Sequence, residues 1–232
     1  MGILRVIWMR LDKYVSKATG LSRRDAKRII LKGRVRVSGE IVKDPSFHVE
    51  NEEVSIDDEV LKSPKEKIYL VLNKPPGFVT STRGDQPTVF DLVDHPRVRE
   101  LHAVGRLDKD SRGMLILTND GEFTHRVISR KSHVEKEYEV VVEGNLSRLG
   151  ELLGGVDIGG EKVKALKVEV VSEGKVRIVI DEGRYHQVKR MLRAVGLKVI
   201  DLKRVRIGKL TLDVPEGGWT ELSEREIRRV LK

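Results

Sequence analysis

Residues 59–66 interrupt the hydrophobic pattern of the chain, because they combine several charged side chains with Pro64. A stretch that loses periodicity while it gains charge and proline is typical of a linker. We therefore expect two folded parts, residues 10–58 and residues 67–232, joined by this linker. A chain of 232 residues is long enough for one medium-sized domain and one small domain.

The second part contains short strand-like runs that alternate irregularly with helical patterns. These runs cover residues 68–72, 101–104, 114–117, 138–142, 168–171 and 176–180. The last helix is predicted to begin at Ser223, with Glu226 as its capping partner. Because strands and helices do not alternate regularly, an α+β fold with a mixed sheet is favoured over a doubly wound parallel sheet.

The first part combines two short helices with a β-hairpin. The first helix is predicted to end at Gly20, the second to run from Ser22 to Gly33, and the hairpin to follow at residues 35–42. Cations are concentrated in and just after the second helix, and these candidate RNA contacts are Arg23, Arg24, Lys27, Arg28, Lys32 and Arg34. Asp25 is the only acidic residue at matching helical spacing, so pairing within the helix does not account for them. A clamp on a phosphate backbone is favoured over a solvated helix face.

Composition limits the possible partners and chemistry. The formal net charge of +9 indicates a polyanionic partner, although a generally basic protein would carry the same charge. Cysteine is absent, which excludes disulfides and thiolate metal sites. The apolar stretch before Met9 is too short to span a bilayer and contains Arg5, so we expect neither a signal peptide nor a membrane span, and Met9 is a candidate start. A high charged fraction with two glutamines also fits a thermophilic source.

Residues 105–113 place a carboxylate among cations in a polar, glycine-flanked connection between two strand-like runs. Asp108 is expected at a strand end, facing a cleft. A carboxylate in such a position can attack as a nucleophile or take a proton, and a neighbouring cation favours its charged form. Taken alone, Tyr138 is typical of an ordinary strand aromatic, and the polar first turn of the helix near Lys189 is typical of a solvated face.

Four segments of the second part together resemble the pseudouridine synthases. They are the run from Gly105 to Gly121, the motif Asn73-Lys74-Pro75, the motif Glu135-Lys136-Glu137-Tyr138 and the run from Glu182 to Met191. The first part resembles the S4 RNA-binding domain through Arg10-Leu11-Asp12-Lys13-Tyr14, Ser22-Arg23-Arg24-Asp25-Ala26, Gly33-Arg34-Val35-Arg36-Val37 and Gly39-Glu40. The whole chain is most similar to the branch that joins an S4 domain to a larger catalytic domain and acts on ribosomal RNA. This resemblance implies a catalytic domain with a mixed, mainly antiparallel sheet flanked by helices.

The resemblance implies isomerisation of one uridine in RNA, in which the glycosidic bond at N1 is cut and C5 is joined to C1′. By this likeness Asp108 is the catalytic aspartate, and Lys189 is the basic residue that pairs with it, where many relatives carry arginine. Tyr138 matches the tyrosine that packs on the target base, and Arg106 matches the residue that fills the space left by the extruded base. Neither a metal nor another cofactor is implied.

The run from Glu182 to Met191 is most similar to enzymes that act on 16S (small-subunit) rRNA. Large-subunit relatives tend to carry an Asn-Arg pair where this chain has Tyr185-His186. The expected partner is therefore 16S rRNA or a pre-ribosomal particle, with a cytoplasmic location, a monomeric protein and no membrane. The same chemistry on 23S rRNA or on tRNA remains an alternative, because target choice depends on RNA shape.

Two other functions are compatible with parts of the sequence. A metal-dependent hydrolase could use Asp108, Asp110 and Asp120, but three cations (Arg106, Lys109 and Arg112) lie nearby in sequence and the six histidines lack metal-ligand spacing. Asp110 is accordingly expected to be structural. A non-catalytic RNA-binding or ribosome-assembly protein would need only the S4 part, and the intact Asp108 motif argues against it.

Overall fold

The computed structural model describes residues 9–50, 52–61, 67–81 and 85–231. The candidate extension before Met9 and most of the expected linker lie outside the described residues. The chain divides into two compact units, Met1–Glu66 and Lys67–Lys232.

The first unit is built from short elements. They are β1 (Met9–Arg10), α1 (Leu11–Thr19), α2 (Arg23–Leu31), β2 (Val35–Val37), β3 (Glu40–Ile41), β4 (His48–Val49), β5 (Val54–Ile56) and β6 (Glu59–Val60). Strands pair in the order β3-β2-β5-β6, and β1 pairs with β4. The predicted helices and hairpin are confirmed: Gly20 ends α1 at a φ of 77°, and the Ser22 side chain accepts the Asp25 backbone N–H at the start of α2. Ser38 and Gly39 have φ of 49° and 84°, which suits the tight turn between β2 and β3.

The first unit extends further than the hydrophobic pattern predicts. Glu59 and Val60, which we expected in the linker, form β6 and pair with Ile56 and Ser55. The Leu61 backbone N–H then donates to the Val54 carbonyl at 2.8 Å. Because β6 is a two-residue edge strand with exposed side chains, backbone pairing alone defines it, and no hydrophobic alternation reveals it.

The second unit contains the larger sheet. Its first elements are β7 (Tyr69–Lys74), β8 (His102–Val104), β9 (Arg112–Thr118), α3 (Gly121–Ile128), β10 (Lys136–Glu143), α4 (Glu151–Gly154), β11 (Val156–Asp157) and β12 (Lys162–Val163). The remaining elements are β13 (Lys167–Ser172), β14 (Lys175–Ile180), α5 (Gln187–Ala194), β15 (Lys198–Ile207), β16 (Leu210–Thr211), β17 (Trp219–Glu221) and α6 (Glu224–Val230). Short 3-10 helices cover Val89–Leu92, Val98–Glu100, Arg130–Ser132 and Leu146–Arg148. The predicted capping box of Ser223 and Glu226 opens α6.

Nine strands form one sheet in the order β13-β14-β10-β15-β9-β7-β17, with β16 added to β15 and β8 added to β9. The pairing between β15 and β9 is parallel, and the other described strand pairs of this sheet are antiparallel. The expected α+β fold with a mixed, mainly antiparallel sheet is confirmed.

Both faces of the central strands are buried. Alternate residues of β7 and β9 enter two hydrophobic clusters: Leu72 and Leu115 pack in the cluster that includes α5, and Val71 and Met114 pack in the cluster that includes α3 and α6. Gly113 allows β9 to approach β15, because a Cβ atom at its φ of 103° would overlap the backbone of Arg204. The turn that precedes β9 is therefore attached to the central part of the sheet, which helices cover on both faces.

Candidate active site

Asp108 lies in the tight connection between β8 and β9, beside a cleft of about 450 Å³. The Ser111 backbone N–H donates to the Asp108 carbonyl at 3.1 Å and closes the turn. The preceding residue, Leu107, is buried in the hydrophobic core and anchors the segment. The turn thus fixes the backbone of Asp108, while its side chain, which is 31% exposed, is open to the cleft.

Two side chains at the start of α5 contact the Asp108 carboxylate. Lys189 Nζ lies 3.1 Å from Asp108 Oδ2, and His186 Nε2 lies 3.0 Å from Asp108 Oδ1. His186 has a left-handed backbone with a φ of 50° and immediately precedes the helix. Its ring stacks on that of Tyr185, with centroids 3.8 Å apart, and Tyr185 is 72% exposed beside the cleft.

Lys189 also bonds Asp110, at 2.7 Å between Nζ and Oδ1. Burial lowers the pKa of Lys189, but hydrogen bonds to Asp110 and Asp108 outweigh it, and the pKa lies above its ordinary value. The bond from Lys189 holds the pKa of Asp110 below its ordinary value. One ammonium group therefore contacts both carboxylates of the turn, Asp108 and Asp110.

The turn is held from below by Lys74, the last residue of β7, whose side chain is fully buried. Its Nζ donates to the backbone carbonyls of Ser111 at 2.6 Å, Pro75 at 3.1 Å and Lys109 at 3.2 Å. Burial lowers the pKa of Lys74 to about 8, although Asp110 and Asp108 act in the opposite direction. The Gly77 backbone N–H adds a bond to the Lys109 carbonyl at 2.7 Å. The Asn73–Gly77 segment thus supports the turn that carries Asp108.

The cleft wall combines aromatic, apolar and cationic groups. Tyr138 on β10 is 9% exposed and lines the cleft, and exposed Arg106 lies at the same cleft. Lys136 and Arg204, both buried, also line it. The predicted residues Asp108, Lys189, Tyr138 and Arg106 are therefore brought to one cleft from three separate parts of the sequence.

Two residues of the predicted cation and carboxylate cluster lie elsewhere. Arg112 binds Asp201 at 2.6 Å and Glu216 at 3.0 Å, because its side chain points away from the turn along the sheet. Asp120 caps the start of α3 and binds Lys67 at 2.7 Å. Within the described ranges no group of three potential metal ligands is found, so the hydrolase alternative has no assembled site there. No helix in the same ranges is both long and apolar enough to cross a membrane.

The cations of the first unit differ in their partners. Arg23 Nη2 lies 2.9 Å from Asp12 Oδ1 and Lys27 Nζ lies 3.8 Å from Asp12 Oδ2, and the Asp12 side chain is fully buried in α1. Arg28 lies 3.6 Å from Asp25, and Arg34 forms an ion pair with Asp57. As the helical spacing predicts, Asp25 pairs with a cation inside α2, namely Arg28. The partner of Arg23 and Lys27 lies on the neighbouring helix, which spacing within α2 cannot reveal.

Two of the predicted RNA contacts remain available for a ligand. Arg24 and Lys32 are exposed and have no acidic partner among the residues that the structure describes. These two side chains can therefore meet a phosphate backbone without first breaking an ion pair.

Comparison with known proteins identifies the family of the chain. The model of the RNA pseudouridylate synthase family matches residues 68–194, and that of the S4 domain matches residues 9–55. The chain belongs to the RNA pseudouridine synthase family. It is an isomerase that rejoins a uracil base to its ribose through C5.

Several relatives align with this RNA pseudouridine synthase over nearly their whole length. Ribosomal small subunit pseudouridine synthase A of Haemophilus influenzae is 42% identical over 97% of this chain and 100% of its own length. The same-named protein of Escherichia coli is 42% identical over 96% of this chain and all of its own. An uncharacterized RNA pseudouridine synthase of Aquifex aeolicus is 41% identical over 96% of each chain. A solved pseudouridylate synthase crystal structure superposes with a TM-score of 0.68, at 38% identity and 96% coverage of this chain.

Sequence reasoning missed two residues that line this synthase's cleft, His186 and Arg204, and one residue buried beneath the turn that carries Asp108, Lys74. His186 was part of a motif but was not singled out, although its contact with Asp108 is as short as that of Lys189. In the sequence Lys74 is distinguished only as part of the motif Asn73-Lys74-Pro75, and no motif includes Arg204. The strand β15 contains four other charged residues (Lys198, Asp201, Lys203 and Arg206), so its sequence does not distinguish the buried Arg204 from them.

Proposed function

We propose that this synthase converts a uridine of small-subunit (16S) ribosomal RNA into pseudouridine. The observation that carries the proposal is the Asp108 carboxylate, held 3.1 Å from Lys189 and 3.0 Å from His186 at the mouth of a cleft. End-to-end similarity to enzymes named for the ribosomal small subunit supports the choice of RNA.

In this proposal Asp108 is the reacting group, acting on the sugar, on the base or through a glycal. Lys189 orients the carboxylate, because its ammonium group lies 3.1 Å from Asp108 Oδ2 and forms an ion pair with it. Tyr138 provides an aromatic surface for the extruded base, and exposed Arg106 takes the space that the base leaves in the RNA.

The first unit holds the RNA, with Arg24 and Lys32 as direct phosphate contacts. Arg23 and Lys27 share one carboxylate and so leave an excess of positive charge in the same unit, whereas Arg28 and Arg34 each face a carboxylate of their own. The reaction is an isomerisation that needs no external oxidant, reductant or group donor, and we propose that the enzyme works as a monomer, without a cofactor, in the cytoplasm.

The proposal is tested with the purified protein and three RNAs: 16S rRNA, 23S rRNA and tRNA. We expect one new pseudouridine in 16S rRNA, mapped at nucleotide resolution, and none with Asp108→Asn, which should retain RNA affinity. Ribosomal RNA from cells that lack the gene should lose the same pseudouridine. Modification of 23S rRNA or tRNA alone would replace the proposed substrate, and an active Asp108→Asn variant would overturn the catalytic assignment.

A further inference from the structure

Two buried cations lie at the cleft on neighbouring strands. Lys136 on β10 is 7% exposed, Arg204 on β15 is 4% exposed, and both line the same cleft as Asp108. Tyr138 follows Lys136 on the same face of β10 and is the register partner of Arg204 across the strand pair. The aromatic side chain that we assign to the base is therefore flanked by two positive charges.

Neither cation is neutralised within the described part of the chain. Lys136 Nζ donates to the Val127 carbonyl at 3.1 Å, and Arg204 Nε donates to the Met114 carbonyl at 2.8 Å. Arg204 Nη2 is buried without a hydrogen-bond partner, and no described carboxylate lies within ion-pair distance of either side chain.

Arg206, on the same strand as Arg204, is by contrast neutralised by acidic side chains. Arg206, two residues after Arg204, lies 2.6 Å from Glu137 and 3.0 Å from Glu135. The acidic residues around β10 thus neutralise Arg206 and leave the two cations at the cleft unpaired. Burial without a counter-charge is unfavourable for each of them, so an anionic or strongly accepting ligand would stabilise the site.

The reaction supplies such a group. When the bond between C1′ and N1 breaks, its electron pair stays with the base, where it is shared by N1, O2 and O4. C5 then donates an electron pair to C1′, the proton on C5 leaves, and N1 takes up a proton. Atoms and charge balance without a co-reactant, and the detached base is at its most negative between the two bond changes.

We propose that Lys136 and Arg204 form a binding site for the negatively charged oxygen atoms of the detached uracil. This inference rests on the proposed function, and it assigns to the two cations a role in separating the base from the sugar. Preorganised donors of this kind are most effective when they face charge that develops during the reaction, in a site that excludes water.

The test compares RNA that contains uridine with RNA that contains 5-fluorouridine at the target position. Fluorine makes the base more acidic at N1, so its anion needs less stabilisation. Lys136→Gln and Arg204→Gln should slow consumption of the uridine nucleotide in single turnovers by about 100-fold. The loss should be clearly smaller with 5-fluorouridine, while the dissociation constant for RNA stays unchanged.

The charge-conserving variants Lys136→Arg and Arg204→Lys should recover part of the rate, and Arg206→Gln serves as the matched control. If Arg206→Gln merely disturbs the strand, its loss of rate should be equal for both nucleotides. An equal loss in Lys136→Gln and Arg204→Gln would overturn the inference. A wild-type rate in these two variants would also overturn it. Wild-type modification of the uridine RNA tests the proposed function separately.

Discussion

Lys74 Nζ donates a 2.6 Å hydrogen bond to the backbone carbonyl of Ser111, and its side chain is fully buried. The same ammonium group binds the carbonyls of Pro75 and Lys109. A single cation thus connects the end of β7 with the turn that carries Asp108. The position of the turn that carries Asp108 therefore depends on Lys74, a residue that does not reach the Asp108 carboxylate.

Replacing Lys74 with Met should weaken both the fold and the reaction. The carbonyls of Ser111 and Pro75 would lose this donor, whereas the Lys109 carbonyl keeps the Gly77 backbone N–H, and each buried unsatisfied polar group costs about 1–3 kcal/mol. We expect a lower melting temperature and a fall in kcat with little change in RNA affinity. Lys109→Met, which removes an exposed lysine from the same turn, is the control and should change neither quantity much. A wild-type kcat in Lys74→Met would show that the turn keeps its conformation without the hydrogen bonds from Lys74.

The lowered pKa of Lys74 predicts how stability changes with pH. Burial lowers this pKa from 10.5 to about 8, so below pH 8 both the folded and the unfolded chain hold the proton. Between about pH 8 and 10.5 the unfolded chain still holds the proton that the folded chain has released, and the free energy of unfolding rises with pH. The stability difference between wild type and Lys74→Met should therefore grow from pH 8 to pH 10.

This difference is measurable by urea unfolding, followed through Trp219 fluorescence in a Trp8→Phe background, since the chain has two tryptophans. Lys136, whose pKa burial also lowers to about 8, contributes equally to both proteins and cancels. A stability difference that stays constant from pH 8 to pH 10 would contradict the assignment.

Local sequence signals predicted local structure well. Ser22, the Ser38-Gly39 turn and the Ser223 capping box act within a few residues, and all three lie where the sequence placed them. Contacts between distant residues had no such signal. Lys74 and Ser111 are 37 residues apart, and Asp12 and Arg23 are 11 residues apart on different helices.

The catalytic pair illustrates the same limit. Proximity in sequence alone would pair Asp108 with Lys109, and only the family resemblance indicated Lys189, which lies on α5. The resemblance did not indicate the second partner, His186, because no spacing rule connects a residue before a helix with a turn in another part of the sheet. Burial of Arg204 likewise depends on the pairing of β15 with β9.

Lys189 should tolerate arginine better than a neutral side chain. Lys189→Arg keeps the positive charge near Asp108 and Asp110 but changes its geometry, so we expect a loss in kcat within about tenfold. Lys189→Met leaves the two carboxylates without their common cation, and the loss should be about 100-fold or more. The pKa of Asp110, which the hydrogen bond from Lys189 lowers, should rise towards its ordinary value in Lys189→Met, as measured by NMR titration. A wild-type kcat in Lys189→Met would show that the reaction does not need this cation.

In the first unit, mutations can distinguish charged residues that bind RNA from charged residues that stabilise the fold. Arg24→Gln and Lys32→Gln remove exposed cations without a described acidic partner, so each should lower the salt dependence of RNA affinity by about one unit of slope and leave stability unchanged. Asp12→Asn should instead lower the stability of the first unit, since Arg23 and Lys27 lose a fully buried counter-charge. Lys167→Gln, an exposed change on β13, controls for the loss of net charge. If the salt slope falls equally in Lys167→Gln, general charge rather than contact by α2 determines affinity.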